Sequence, residues 1–111
     1  MKIAFPANDK IIASHFRHCN NFQVFVVDDD KKIVNQTIIE NPAEHTPGLL
    51  PQILQNHGIE IVIVDGIGQK AISLFNEKGI QVITGVSGPI DDALRNFLAG
   101  TLKGGENICS H

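Results

Sequence analysis

The chain has 111 residues, 42% of them apolar and 19% charged, with a formal charge of −3. That length holds one hydrophobic core and is short for two, and the composition is that of a folded chain rather than a disordered one. The acidic balance argues against a nucleic-acid binder that neutralises phosphates, no run approaches the ~20 apolar residues of a membrane span, and the apolar part of MKIAFPANDK is too short for a signal peptide. We therefore expect a cytoplasmic protein with Cys19 and Cys109 reduced and available as ligands. A disulfide between them is the alternative.

In chain order, KIAFPA (residues 2–7) reads as a strand closed by Pro6. FQVFVVDDD opens a second strand, and its apolar residues on both alternating faces predict burial on both sides. KIVNQTIIE (32–40) is a third strand, joined to the second through a polar turn at Asp28–Lys32 as a hairpin. A helix follows, with Thr46 as its cap, Pro47 in first position, Leu49, Leu50, Ile53 and Leu54 on one face, and Gly58 at its end. IEIVIVDG (59–66) is nearly all β-branched, as a buried parallel strand should be. A second helix turns Ala71, Ile72, Leu74 and Phe75 inward and stops at Gly79. IQVITG (80–85) is the fifth strand. The last helix starts at Pro89, places Asp91 and Asp92 at the positive end of its dipole, and buries Ile90, Ala93, Leu94, Phe97 and Leu98. Residues 103–111 read as a flexible tail on a domain spanning 1–102.

The order β-β-β-α-β-α-β-α predicts an α/β domain with a five-stranded mixed sheet. The first strand is central, the hairpin lies on one side and the later strands on the other, with helices on both faces. Ligands of such sheets bind beyond the carboxyl ends of the parallel strands. The loops expected there are PANDK to SHFRHC, DGIGQ and TGVSGP. The first holds His15, His18 and Cys19, two of the five histidines and one of the two cysteines. Two readings stand: a ligand loop for iron or an iron-sulphur cluster, or a polar loop around a small buried thiol. Cys109 and His111 form a second soft-ligand pair, on the glycine-bearing tail. His45 reads as an exposed loop residue, and His57 as a helix-end residue favoured by the dipole.

Three sharper readings fail. Gly66-Ile67-Gly68 with Ala71 fits a dinucleotide fingerprint, but IQVITG lacks the acid such a site needs. A tight turn whose amides face an anion fits better. Asp28, Asp29 and Asp30 sit at a hairpin tip, with no acid on the first strand to converge with them. Ser14 beside His15 is only a dipeptide, and no nucleophile–base arrangement is readable. We expect no enzyme.

Several motifs occur together: S-H-F-x-x-C-x-x-F (Ser14, His15, Phe16, Cys19, Phe22), E-N-P (Glu40, Asn41, Pro42), I-V-D-G-I-G (Ile63 to Gly68) and G-V-S-G (Gly85 to Gly88). As an ordered set covering residues 1 to about 102, they resemble the dinitrogenase iron-molybdenum cofactor biosynthesis family. The resemblance implies a ribonuclease H-like fold. It also implies a carrier or scaffold for iron-molybdenum cofactor, its iron-sulphur precursor or related clusters, served by cluster donor and acceptor proteins. The family's loop reads close to S-x-H-F-G, with the histidine as favoured ligand; here that is His15. Its glycine is Arg17 in this chain. Since glycine often serves a positive φ, either the loop is shaped differently here or Arg17 faces an anionic cluster. Cys19 would support His15, with His18, Cys109 and His111 as further metal ligands. Gly66, Gly68, Gly85, Ser87 and Gly88 would form the floor of the site. The competing reading is a protein-interaction or small-anion-binding domain of the same fold without a cluster. The chain is expected to be a monomer or a weak homodimer, since the outer hairpin strand leaves an open edge.

Overall fold

The structure is a computed structural model. It describes residues 1–42, 48–102 and 108–109, the last pair as backbone alone. The strands are β1 (Lys2–Asn8), β2 (Ile11–Ile12), β3 (Asn21–Val27), β4 (Ile33–Glu40), β5 (Ile61–Ile63), β6 (Ile67–Gly68), β7 (Gln81–Ile83) and β8 (Ile108–Cys109). The helices are α1 (Leu49–Asn56), α2 (Gln69–Glu77) and α3 (Ile90–Ala99).

The main sheet runs β4-β3-β1-β5-β7. β1, β5 and β7 are parallel, whereas β3 is antiparallel to both β1 and β4. The central place of β1 and the flanking hairpin are as the sequence predicts. The physical reason is visible in β1, where Ile3, Ala4, Phe5 and Ala7 are all fully buried. Ile3, Phe5 and Ala7 face α3 with Ile90, Ala93 and Leu94. Ala4 packs on the other face with Val62, Leu50 and Leu54 of α1 and Phe75 of α2. An open, mixed sheet thus carries two helices on one face and one on the other.

Two details depart from expectation. A sixth short strand, β2, pairs back onto β1 with Asn8 opposite Ile11. The chain reverses there through Asp9 at φ 58°, a left-handed conformation that costs a non-glycine residue about 1–2 kcal/mol. The Gln23 side-chain amide, donating to the Asp9 carbonyl at 2.7 Å, helps hold that turn. The strand expected over 59–66 is shorter: the Val64 amide still donates to Ile83 of β7, whereas the Val64 and Asp65 carbonyls and the Gly66 amide bond neighbouring loops. α1 begins at Leu49 behind Gly48, and the Thr46 cap and Pro47 start lie outside the described residues. Two residues of the expected tail, Ile108–Cys109, run parallel to β6, with Cys109 opposite Gly68.

The hairpin tip forms as predicted. The Asp28 carboxylate accepts from the amides of Asp30 and Lys32, and Lys31 takes the left-handed position at φ 63°. Asp28 is therefore occupied with the turn, as a solvated tip requires.

The α1–α2 face of the core centres on Phe16, whose ring lies 5.4 Å from Phe22 and 5.3 Å from Phe75. Phe75 is fully buried. Phe75→Ala should lower unfolding free energy by about 3–5 kcal/mol in urea titration, since truncating a buried aromatic leaves a cavity.

Candidate functional site

Three loops follow the carboxyl ends of β1, β5 and β7, and backbone hydrogen bonds tie them together. The Ile12 amide donates to Gly88, the Ile90 amide to Lys10, and Ile11 bridges Pro89. The Val86 amide donates to Val64 and the Gly85 amide to Asp65. Gly66 joins the third loop: its amide donates to the Ser14 carbonyl at 3.0 Å, and its carbonyl accepts from the Phe16 amide at 2.8 Å. His15 therefore sits in a parallel bridge with Gly66, in extended conformation at φ −126° and ψ 127°.

The chain then makes one tight helical turn over Phe16–His18. Phe16 is 2% exposed and anchors the turn to the core. Its neighbours His15, Arg17 and His18 are exposed. The His15 and His18 rings stand 6.2 Å apart and nearly perpendicular, at 89°. Arg17 does not adopt a positive φ. The conformational freedom of a glycine is not required at that position in this chain, and arginine fits the turn without strain.

Cys19 follows a different course. It is 6% exposed, lies in the α1–α2 core and carries a free thiol. Burial pushes its pKa up from the ordinary 9.0 to about 11, partly offset by hydrogen bonds from the Ala7 and Cys19 backbone and from Asn41. A metal ligand must be the thiolate, and this position disfavours it. The Asn41 side-chain amide donates to the Cys19 carbonyl at 2.7 Å and the Arg17 carbonyl at 3.3 Å, and lies 3.6 Å from Sγ. Asn41 thus clamps the turn that presents the histidines. Its place in E-N-P marked it in the sequence, but nothing there indicated that role.

The glycines divide. The amides of Gly66 and Gly85 are engaged within the fold and tie loops together. Gly68 is the residue before the first turn of α2, and a Cβ added there would meet open space. Gly88, at φ 93°, accepts from Ile12, and Ser87 is exposed beside it. The backbone of Cys109 runs alongside Gly68. His45 and His111 lie outside the described residues. His57 ends α1, where its carbonyl accepts from the Lys2 ammonium group at 3.0 Å.

Among the described residues, no group of three or more His, Cys, Asp or Glu side chains is placed to hold a metal ion. No described helix is long and apolar enough to cross a membrane. The edge offers exposed imidazoles and a guanidinium on a backbone tied across three loops.

The chain is similar to known proteins over nearly its whole length. The family model described as dinitrogenase iron-molybdenum cofactor matches residues 1–100. The uncharacterized protein MJ0580 of Methanocaldococcus jannaschii is 35% identical over 107 residues, covering 93% of this chain and 90% of that protein. The crystal structure of PH0822 matches with a TM-score of 0.86 and 37% identity, covering 93% of each chain. The apo form of the orange protein from Desulfovibrio gigas matches with a TM-score of 0.75, covering 96% of this chain and 93% of that one. Its identity of 22% makes that likeness one of fold.

Three outcomes follow from the geometry. With Cys109 replaced by Ser, the Cys19 thiol should react slowly with a thiol reagent in the native protein and rapidly once unfolded. Because its pKa is raised on folding, the stability owed to the neutral thiol is whole below pH 9.0 and is lost as pH rises toward about 11. Cys19→Ala should remove that part of the alkaline loss, read as urea midpoints against pH. Asn41→Ala should lower stability by about 1–2 kcal/mol and speed amide exchange at His18, leaving the β1–β5 ladder protected.

Proposed function

The chain belongs to the dinitrogenase iron-molybdenum cofactor family, and from that premise we propose that it is a non-catalytic carrier of metal-cluster cargo. The cargo is iron-molybdenum cofactor or an iron-sulphur precursor, held at the carboxyl edge of the sheet with His15 as principal protein ligand. The observation that carries this reading is the placement of His15: exposed on a backbone pinned to Gly66 and flanked by a buried phenylalanine anchor. A ligand held by both neighbours loses little conformational entropy on binding.

His18, with its ring near that of His15, is a secondary ligand. Arg17 and the amino-terminal end of α2 at Gly68 supply positive potential toward a cluster bearing sulphides and an organic acid. The backbone of Cys109 lies opposite Gly68. With His111 it would contribute soft ligands to the same loop. Cys19 drops out of the ligand set in this reading, since its buried neutral thiol packs the turn from beneath. Turnover chemistry is absent from the proposal: the cargo would arrive from a donor protein and leave to an acceptor, in the cytoplasm, where a reducing environment preserves it.

A second reading, a protein-interaction or small-anion-binding domain without a cluster, is favoured by the burial of Cys19 and the absence of a three-ligand group among the described residues. Anaerobic titration with isolated iron-molybdenum cofactor, and separately with a synthetic iron-sulphur cluster, separates the two. The carrier reading expects visible absorption to co-elute with the parent protein. His15→Ala should weaken binding about tenfold or more, with thermal unfolding unchanged, and His18→Ala should weaken it less. A His15→Ala protein that binds as tightly as the parent would falsify the ligand assignment. Parent protein that stays colourless would support the second reading.

A further inference from the structure

β4 forms one edge of the main sheet, and its far side pairs with no described strand. Seven of its eight residues are exposed, Ile39 being the exception. Among the described residues, three of the five exposed large hydrophobic ones lie on it: Ile33 at 49%, Val34 at 59% and Ile38 at 56%. Edge strands normally protect themselves with charge or proline. The run Ile33–Ile39, IVNQTII, contains neither. The register shift opposite Val26 and Val27 is its only interruption.

The Gln36 amide donates to the Asn35 side-chain oxygen at 2.9 Å. It therefore points away from β3, toward the outer edge. Backbone groups alternate along a strand, so Ile38 and Glu40 present theirs outward as well. Outward residues on two copies of β4 meet when the strands run antiparallel about a two-fold axis. An axis at Gln36 sets Gln36 against its copy and Ile38 against Val34. Lys32, just before the strand, has its amide and carbonyl engaged with Asp28 and adds no ladder pair, but the exposed Lys31 and Lys32 side chains come beside the acidic end of the other strand. Asp28–Asp30 fall past the paired segment, with the Asp28 carboxylate held in its own turn.

We infer that two copies of this chain associate through β4, antiparallel edge to edge, joining their sheets into one. Charge and apolar pattern are both self-complementary along the strand, which favours a second copy over an unrelated partner. The bulge interrupts the ladder at the lysine end, so the contact is short and the dimer dissociates on dilution. The inference does not rest on what the carboxyl edge binds: the groups that pair lie on the outer edge of β4, although the strand ends at Glu40 next to Asn41, which holds the Phe16–His18 turn.

Sedimentation equilibrium of the full chain from micromolar to millimolar concentration tests this. The parent should show a monomer–dimer equilibrium. Ile38→Lys, and Gln36→Pro, which removes an amide not used by β3, should each raise the dissociation constant about tenfold or more. Lys32→Glu and Glu40→Lys should each weaken the dimer, and the double variant carrying both should recover it, with circular dichroism verifying the fold of each. A parent that is monomeric at every concentration overturns the inference. So does a dimer that Ile38→Lys and Gln36→Pro leave unchanged.

Discussion

The two hydrogen bonds at Gly66 are the constraint on which the carboxyl edge of the sheet depends. One glycine donates to Ser14 and accepts from Phe16, and so it holds the loop after β1 against the loop after β5. The neighbouring amides of Gly85 and Val86 bring in the loop after β7. A surface that would otherwise be three independent loops becomes one backbone platform. His15 lies at its centre because the two residues on either side of its side chain are the ones tied down.

That platform explains why SHFRHC serves two purposes within six residues. Phe16 and Cys19 point into the core, where the one packs against Phe22 and Phe75 and the other is a buried thiol. His15, Arg17 and His18 face solvent. A tight turn makes that division possible, and Asn41 fastens it from the end of β4. The histidines are thereby offered outward from a rigid base, whereas the cysteine, chemically the softer ligand, is withdrawn.

Much of the fold was legible. β1 and β5 are apolar on both faces and short, which only a central, doubly covered strand explains. Asp28 and Lys31 marked the hairpin. What could not be read was local geometry set by distant partners. β2 is two residues long and depends on Asp9 taking a left-handed conformation, which no pattern announces. Gly66 looked like a donor for an anion and Gly85 like part of the floor of the site, yet their amides are engaged by Ser14 and Asp65. Arg17 in a glycine's place looked like a strain and is not one. The burial of Cys19 depends on how a six-residue turn rolls against the core, and neighbours in sequence carry no record of that. Nor does the glycine-bearing tail signal that Cys109 runs beside Gly68.

The central claim is that cluster cargo binds at the carboxyl edge. The most direct measurement is a two-dimensional amide NMR spectrum of the full chain, recorded anaerobically before and after adding isolated iron-molybdenum cofactor. The account predicts that shifts or paramagnetic broadening concentrate in residues 14–20, 64–69 and 84–89, with β3, β4 and the exposed faces of α1 and α3 unchanged. Perturbation centred elsewhere, or a spectrum that does not change while the cofactor stays in solution, would contradict it.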